Sequence, residues 1–534
     1  MIVNTSVGVM GHVDAGKTAL CRALSQVLST AALDKHPEAK ARGITIDLGF
    51  SSFMLPTLAK HKPSFAVRCT LVDCPGHASL IKTVVGGAQI IDAILLVIDV
   101  AKGIQVQTAE CLVLAEILTS HLIVALNKCD NVSAENIEKT IKKLRKTFAE
   151  TKFGFDVPII PVSAITPGSA DSLVTSLGDL LFNVASKRLN ARPELRDSEF
   201  VFAFDHCFPI KGQGTVFTGT VIHGKLRSGN EVTIPSSGDA KRVKSIQSFH
   251  ESLKVCYSGD RCGLCLPEVY SEKCPDRGWL YAPGLMNHCR AVIAEVHRIK
   301  YFKKPVKSNS KFYVVIGHSG VNASCIFFRG KEPTFSLEKS YLSLDVMESS
   351  VDEKSDSCPV FAVLSFDKPI ICPHDSRLVA LILSKDPSKS KSCRIAFWGI
   401  VCHQITLSSI GSESSEIEFT RQSLKQLRVY KLKERYGSIE KVLDDRTLLV
   451  KDLLHGDISP FIGCNIRLGS CVGKILGSFG KADNGRIKVS FSDDLSVYRD
   501  EKGKLKLSGD LRPCLIFQRS VFNDKKPELF EERI

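Results

Sequence analysis

From residue 1 to about 190, continuous runs of Val, Ile and Leu alternate with stretches in which apolar residues recur every three to four positions. Runs of the first kind suit strands covered on both faces, and the second kind suits helices lying over them. The pattern predicts strands over Thr5–Met10, Cys69–Val72, Ile94–Asp99, Leu122–Leu126 and Val157–Val162. It predicts helices over Thr18–Leu28, Gln107–Leu118, Ala134–Lys146 and Ser169–Lys187. Strands and helices in alternation make a doubly wound α/β domain. The polar segment Ala185–Asp197 breaks the pattern and reads as a linker.

Beyond the linker the rhythm changes to short strands punctuated by Gly, Pro, Ser and Asn, the pattern of barrels or sandwiches. Breaks fall near residue 285 (YAPGLMN) and in the Ser/Glu-rich stretch Ile405–Glu418. The division expected is therefore 1–190, 196–285, 286–408 and 419–534, with hairpin signals at Asp483-Asn484-Gly485 and Lys502-Gly503-Lys504 in the last part.

A chain of 534 residues is too long for one compact domain, which agrees with these breaks. Its 44% hydrophobic and 24% charged residues exclude disordered and fibrous classes. The net charge of +14 favours a polyanionic partner. From Arg421 onward there are 23 Lys and Arg against 16 Asp and Glu, half of that surplus in about a fifth of the chain. The first residues lack the basic flank and long apolar run of a secretory signal, and no later stretch keeps about 20 apolar residues. A soluble, cytoplasmic protein with no membrane contact is expected. Nineteen scattered cysteines suit reduced thiols in that compartment. Cys262 and Cys265 have a metal-like spacing but sit in a short apolar strand with no convincing second pair, so they read as structural.

Directly after the first strand stands GHVDAGKT, Gly11 to Thr18, a phosphate-binding loop opening a helix. Backbone N–H groups of Asp14, Ala15, Gly16, Lys17, Thr18 and Ala19 can curl around phosphates, Lys17 can reach the outer ones, and Thr18 can ligate Mg²⁺. DCPGH follows the second strand: Asp73 can hold the same ion through water, and Gly76 can turn its N–H to a γ-phosphate, so that the loop senses that group. In NKCD, Asn127, Lys128 and Asp130 form a base site, since the Asp130 carboxylate accepts from both N1–H and the exocyclic amine of guanine, a pair adenine lacks. Ser163 and Ala164 can add a backbone N–H to the guanine O6. All four elements lie at C-terminal strand ends, where open α/β sheets bind ligands. GTP and GDP are the nucleotides expected, and the fold is an α/β doubly wound P-loop GTPase domain followed by three mainly β, barrel-type domains.

RGITIDLGF, Arg42 to Phe50, contains Thr45, which could close over the γ-phosphate as a second Mg²⁺ ligand. Together with the later KGQGTVFTG, these motifs resemble the translational GTPases that carry aminoacyl-tRNA. The resemblance implies that His77 positions the attacking water and that Val13 and Ile44 form an apolar gate before it. RGITIDLGFSSF, TLVDCPGHASLIKTVVGGAQIID, FDHCFPIKGQGTVFTGT, SGDRCGLCL and VYKLKERYGSIEKVLDD are similar to one branch, the eukaryotic-type selenocysteine-specific elongation factors, over nearly the whole chain. The chain departs from that branch in a short insertion, Leu58–Phe65, and in the middle of its last domain.

That resemblance implies a selenocysteine pocket formed by Phe50, Asp205, His206 and Arg261. Selenocysteine's selenol is ionised at neutral pH and serine's hydroxyl is not, so a guanidinium and a histidine N–H would separate two side chains that size alone separates poorly. It further implies a monomer partnered by selenocysteyl-tRNA, the ribosome and a protein bound to the selenocysteine insertion element of messenger RNA. GTP hydrolysis is expected at a ribosome paused on UGA. The basic last domain is the expected RNA contact. Two other readings stand beside this one: a carrier of a different aminoacyl-tRNA, such as initiator tRNA, and a GTP-gated RNA-binding scaffold without useful hydrolysis.

Overall fold

The computed structural model describes the chain apart from residues 26, 29–47, 57–64, 76–82, 84, 87–89, 235–237, 270–273, 276, 318, 349–357, 384–392, 408–410, 481–484, 493–494, 496–511 and 524–534. Two compact units result. The first holds residues 1–304, 311–324 and 364–410, and the second holds 305–310, 325–363 and 411–534. The stretch expected as a single third domain, 286–408, thus contributes to both.

The first unit begins with a seven-stranded sheet: β1 (Ile2–Met10), β2 (Val27–Leu28), β3 (Gly49–Met54), β4 (Ala66–Asp73), β5 (Ala93–Asp99), β6 (Leu122–Asn127) and β7 (Ile159–Pro161). Its order is β2-β3-β4-β1-β5-β6-β7, parallel from β4 to β7 and antiparallel at β2 and β3. The strands predicted here are present. β3 was not expected, because RGITIDLGFSSF reads as a switch loop rather than an added strand. Among the described residues the sheet is accompanied by the helices α1 (Lys17–Leu24), α2 (Val106–Leu118), α3 (Ala134–Ala149) and α4 (Asp171–Ala191). α1 stops at Leu24 instead of Leu28, since Val27 and Leu28 pair with Ser52 and Ser51. β1 lies between β4 and β5, so the chain leaves it at the topological switch point.

α4 runs on to Ala191, into the segment expected as linker, and its end is held by tertiary contacts. Arg188 donates to both Asp92 carboxylate oxygens, at 2.7 and 2.5 Å, and to Asn4 O at 3.0 Å. Arg192 stacks on Tyr257, 4.4 Å from the ring centroid. Asn4 Nδ2 donates to Asp260 Oδ1 at 3.0 Å. A Cβ on Gly259 would meet Arg188 Cζ at 2.4 Å, so glycine permits this approach. The polar segment that looks like a linker thus includes two arginines that tie the end of α4 to the sheet and to Tyr257 of the second domain.

The second domain comprises β8 (Val201–Ile210), β9 (Gly214–His223), β10 (Lys225–Arg227), β11 (Glu231–Thr233), β12 (Ala240–Arg242), β13 (Ser245–Ser248), β14 (Glu251–Leu253), β15 (Val255–Tyr257), β16 (Arg261–Leu266) and β17 (Gly278–Tyr281). The order β12-β11-β17-β8-β9-β16-β13-β14 brings β8, β9 and β16 side by side around a core of Phe200, Phe202, Phe204 and Phe217. Cys262 and Cys265 are both buried in β16, and Cys265 donates its thiol proton to Gln213 O at 3.5 Å. Strand Cys289–Arg298 then pairs with Ile395–Thr406, which pairs with Arg377–Leu381. Arg394 donates to both oxygens of Glu110 on α2, at 2.9 and 2.6 Å, and the pair is buried.

In the second unit, strand Ser340–Leu344 runs parallel to Arg428–Tyr436, which pairs with Cys514–Ser520. Further antiparallel strands surround an apolar core that includes Leu448, Val450, Ile466, Ile475, Val489 and Leu515. A helix, Glu413–Leu424, precedes them, capped by Ser412, whose hydroxyl accepts from Ser415 N. The Ser-rich composition hid it as a domain break. Cys471–Ser478 and Ile487–Phe491 pair as the Asp483-Asn484-Gly485 signal requires, although Asp483 and Asn484, like Lys502-Gly503-Lys504, lie outside the described residues.

Candidate functional site

The loop after β1 ends in a helix start, with Asp14 at φ 60° and Gly16 at φ +89°. These left-handed residues curl the backbone, and the first turn of α1 directs its N–H groups out of the helix N-terminus. Lys17 is buried and donates to Gly11 O at 3.1 Å and His12 O at 2.8 Å, so its ammonium spans the mouth of the loop. Ala15 is buried, and Ala19 is exposed on the first turn. Val13 is partly buried and its N–H reaches Gln107 Oε1 on α2 at 3.3 Å. Thr18 Oγ1 donates to Asp73 Oδ2 at 2.6 Å at the end of β4. Those two hard oxygens side by side, next to the phosphate loop, are a donor set that suits Mg²⁺. Ile44, Thr45, Gly76 and His77 lie outside the described residues.

The base loop is tied directly to the phosphate loop. Asn127 Nδ2 donates to Ala15 O at 2.9 Å, while its Oδ1 accepts from Ala164 N at 3.1 Å. The Ala164 N–H expected for guanine O6 is thus already bonded to Asn127. Ser163 N donates to Ser169 Oγ at 2.7 Å, and Ser163 Oγ to Asp130 Oδ1, also at 2.7 Å. Lys128, at φ 65°, reaches Asp99 Oδ2 at 2.9 Å. Burial works against ionisation of Asp99, yet the Lys128 ammonium and the Ala101 N–H hold its carboxyl below the ordinary range. Asp99, Gln107 and Ser169 are positioning groups that the motifs did not single out. The position of Asp99 at a strand end, beside the other loops, was the available signal.

Phe50, Asp205, His206 and Arg261 converge. Asp205 accepts from Arg261 Nη1 at 2.6 Å and Nη2 at 3.0 Å, a bidentate pair, and its Oδ1 lies 2.8 Å from His206 Nδ1. Thr218 Oγ1 donates to the same oxygen at 3.4 Å. The Arg261 guanidinium stacks on Phe50, 3.2 Å from the ring centroid. Phe50, Asp205 and Arg261 are 0%, 1% and 4% exposed, whereas His206 is partly open. Two of Arg261's five N–H donors serve Asp205, so the fixed charge expected to face a selenolate is partly balanced inside the cluster. A cleft of about 120 Å³ opens beside Arg261, lined by Phe208, Ile210, Val216, Thr218, Gln247 and Phe249 among others.

Burial opposes ionisation of Asp205, but Arg261 and His206 overcome it and bring the carboxyl down from 3.8 to about 2. Its stabilising contribution is therefore fully present above the ordinary carboxylate range and disappears as pH falls through about 2, amounting to about 2 kcal/mol. Denaturant titrations at pH 5, 3 and 2 are expected to show a loss over residues 201–281 that Asp205→Asn does not share. Equal acid sensitivity in both proteins would contradict the pairing.

Among known proteins, the family described as the Elongation factor Tu GTP binding domain matches residues 3–183, and Elongation factor Tu domain 2 matches 214–272. The third domain of the eukaryotic selenocysteine-specific elongation factor matches 293–399, and the eEFSec C-terminal RIFT domain matches 425–526. The mouse selenocysteine-specific elongation factor is 37% identical, over 92% of this chain and 89% of its own length. That of Methanocaldococcus jannaschii is 33% identical, over 73% of this chain and 78% of its own. The crystal structure of translation elongation factor SelB from Methanococcus maripaludis, in complex with the GTP analogue GppNHp, superimposes with a TM-score of 0.68 at 26% identity, covering 97% of this chain and 98% of that one.

Proposed function

The chain belongs to the selenocysteine-specific elongation factors, and from that premise we propose that in its GTP form it carries selenocysteyl-tRNA to a ribosome paused at UGA, hydrolyses GTP there and lets go. The observation that carries the reading is the joint cluster of Phe50 from the nucleotide-binding domain with Asp205, His206 and Arg261 from the second domain. One contact links the GTPase sheet to the group that would hold the aminoacyl side chain, so GTP-dependent closure of the first domain bears on the cargo.

Each residue has a role in this scheme. Lys17 and the N–H groups of the first turn of α1, from Asp14 to Ala19, hold the phosphates. Asp130 selects guanine, with Asn127, Lys128, Ser163 and Ala164 bracing its loop. Thr18, Asp73 and Thr45 would hold Mg²⁺, which translational GTPases use with GTP to offset phosphate charge. Gly76 senses the γ-phosphate, and His77 orients the attacking water once Val13 and Ile44 admit it. The guanidinium donors of Arg261 not engaged by Asp205, together with the open edge of His206, favour a selenolate over a serine hydroxyl. The basic C-terminal domain meets RNA or a protein bound to the selenocysteine insertion element. The protein acts as a monomer in the cytoplasm. Among the described residues, no helix is long and apolar enough to cross a membrane.

The hydrolytic step is tested by GTP turnover with and without ribosomes programmed with UGA. Ribosomes are expected to accelerate turnover, and His77→Ala to abolish the acceleration while leaving GTP affinity unchanged. Turnover indifferent to ribosomes, or unaltered in His77→Ala, would support a GTP-gated scaffold instead.

A further inference from the structure

At the tip of the β13–β14 hairpin, Ser248 pairs with Glu251 and leaves a two-residue turn, Phe249-His250. Both residues are left-handed, with φ 46° and 69°, the only consecutive non-glycine pair of that kind among the described residues. Two-residue hairpin turns of this hand favour Asn-Gly, and bulky side chains resist them. Backbone held against its preference persists only when its surroundings impose it.

The surroundings come from the nucleotide-binding domain. Arg68 on β4 lays its guanidinium over the Phe249 ring, 5.3 Å from the centroid, and its Nη2 donates to Glu251 Oε1 at 2.9 Å. It thus grips one residue inside the turn and the one just after it. Arg68 is itself fixed in mid-sheet, paired in register with Asn4 on one side and Met54 on the other. Its strand ends at Asp73, which takes the Thr18 hydroxyl. On its inner side the turn is joined to the pocket: Ser248 Oγ donates to Arg261 O at 2.8 Å, and Phe249 and His250 line the cleft beside Arg261.

We infer that Arg68 is a positioning residue for tRNA recognition: by clamping Phe249 and Glu251 it imposes the left-handed turn that shapes the cleft beside Arg261. The inference rests on the selenocysteyl-tRNA reading. Arg68 touches no part of the cargo and acts through the turn alone, so its importance must vanish once the turn is relaxed by other means.

The test is a double-mutant cycle on the full-length protein with GTP, reading selenocysteyl-tRNA affinity and GTP affinity together. Arg68→Ala is expected to weaken tRNA binding about tenfold with GTP affinity unchanged. His250→Gly, which supplies the preferred glycine at the second turn position, is expected to make a further Arg68→Ala change nearly silent. An unchanged tRNA affinity in Arg68→Ala, or the same tenfold loss in both backgrounds, overturns the clamp while leaving the function intact. If Arg68→Ala loses GTP binding, Glu251→Gln on the exposed side decides: it must weaken tRNA binding about threefold and be rescued by His250→Gly, and failure of either overturns the clamp. No selenocysteyl-tRNA binding by the unaltered protein overturns both the clamp and the reading beneath it.

Discussion

Arg261→Ala is expected to abolish the preference for selenocysteyl- over seryl-tRNA and, at the same time, to destabilise the second domain by about 3–5 kcal/mol. Asp205 is 1% exposed, and two of its four short contacts come from Arg261. Removing the guanidinium strands a buried carboxylate and leaves Phe50 without its stacking partner. The two effects separate in the variant Arg261→Met with Asp205→Asn. Deleting both charges is expected to recover most of the stability, since a well-packed neutral pair replaces a buried ion pair at small cost. It does not recover discrimination. Charge-assisted contacts of about 1.5–3 kcal/mol correspond to roughly a 10- to 100-fold preference, which is the quantity lost in both variants. Hydrogen exchange over residues 201–281 and paired tRNA titrations provide the two readouts. A double variant that keeps its preference would show that the ion pair serves the fold alone.

Gly16→Ala is expected to cost roughly 100- to 1,000-fold in GTP affinity. A Cβ at this position would lie 2.3 Å from Asn127 Nδ2, at a φ of +89° that side chains rarely adopt. The left-handed conformation contributes about 1–2 kcal/mol, and displacing Asn127 from Ala15 O and Ala164 N adds about 1 kcal/mol for each bond. One methyl group thus disturbs the phosphate loop and the base loop together. Gly154→Ala is the control. Its φ of +74° carries similar strain, but nothing lies within 4 Å of the new Cβ, and GTP affinity is expected to stay unchanged. A Gly16→Ala protein with normal nucleotide titrations would contradict the coupling of the two loops through Asn127.

The nucleotide site was legible because its chemistry is local. Each motif occupies a few consecutive residues at the end of one apolar strand, and the strand pattern alone aligns those ends. The Asn127 brace escaped notice because a motif gives residue types and not the carbonyl 112 residues away that a side chain reaches. The cluster proposed as the cargo pocket was singled out only through family resemblance. Asp205 and Arg261 are 56 residues apart, and their pairing depends on β8, β9 and β16 lying side by side, which turn signals did not determine. Arg68 carried no signal at all: it stands just before the predicted strand Cys69–Val72, and only the fold, which extends β4 to Ala66, brings it to Phe249 and Glu251. α4 shows the reverse error, in which arginines suggested a linker because their partners lie far away in the sequence, Arg188 on Asp92 and Asn4 and Arg192 on Tyr257 of the second domain.

The family also narrows the alternatives. The matches at 293–399 and 425–526 are to domains of the selenocysteine-specific factors, which weighs against a carrier of initiator tRNA.

In the proposed function the protein in its GTP form encloses the selenocysteyl end of its tRNA and rejects the seryl end. The most direct test is spontaneous hydrolysis of the two aminoacyl esters on the same tRNA, with the protein and either GTP or GDP. Slow hydrolysis of the selenocysteyl ester is expected with GTP only, with no protection of the seryl ester. Equal protection of both esters, or protection that does not depend on GTP, would contradict that function.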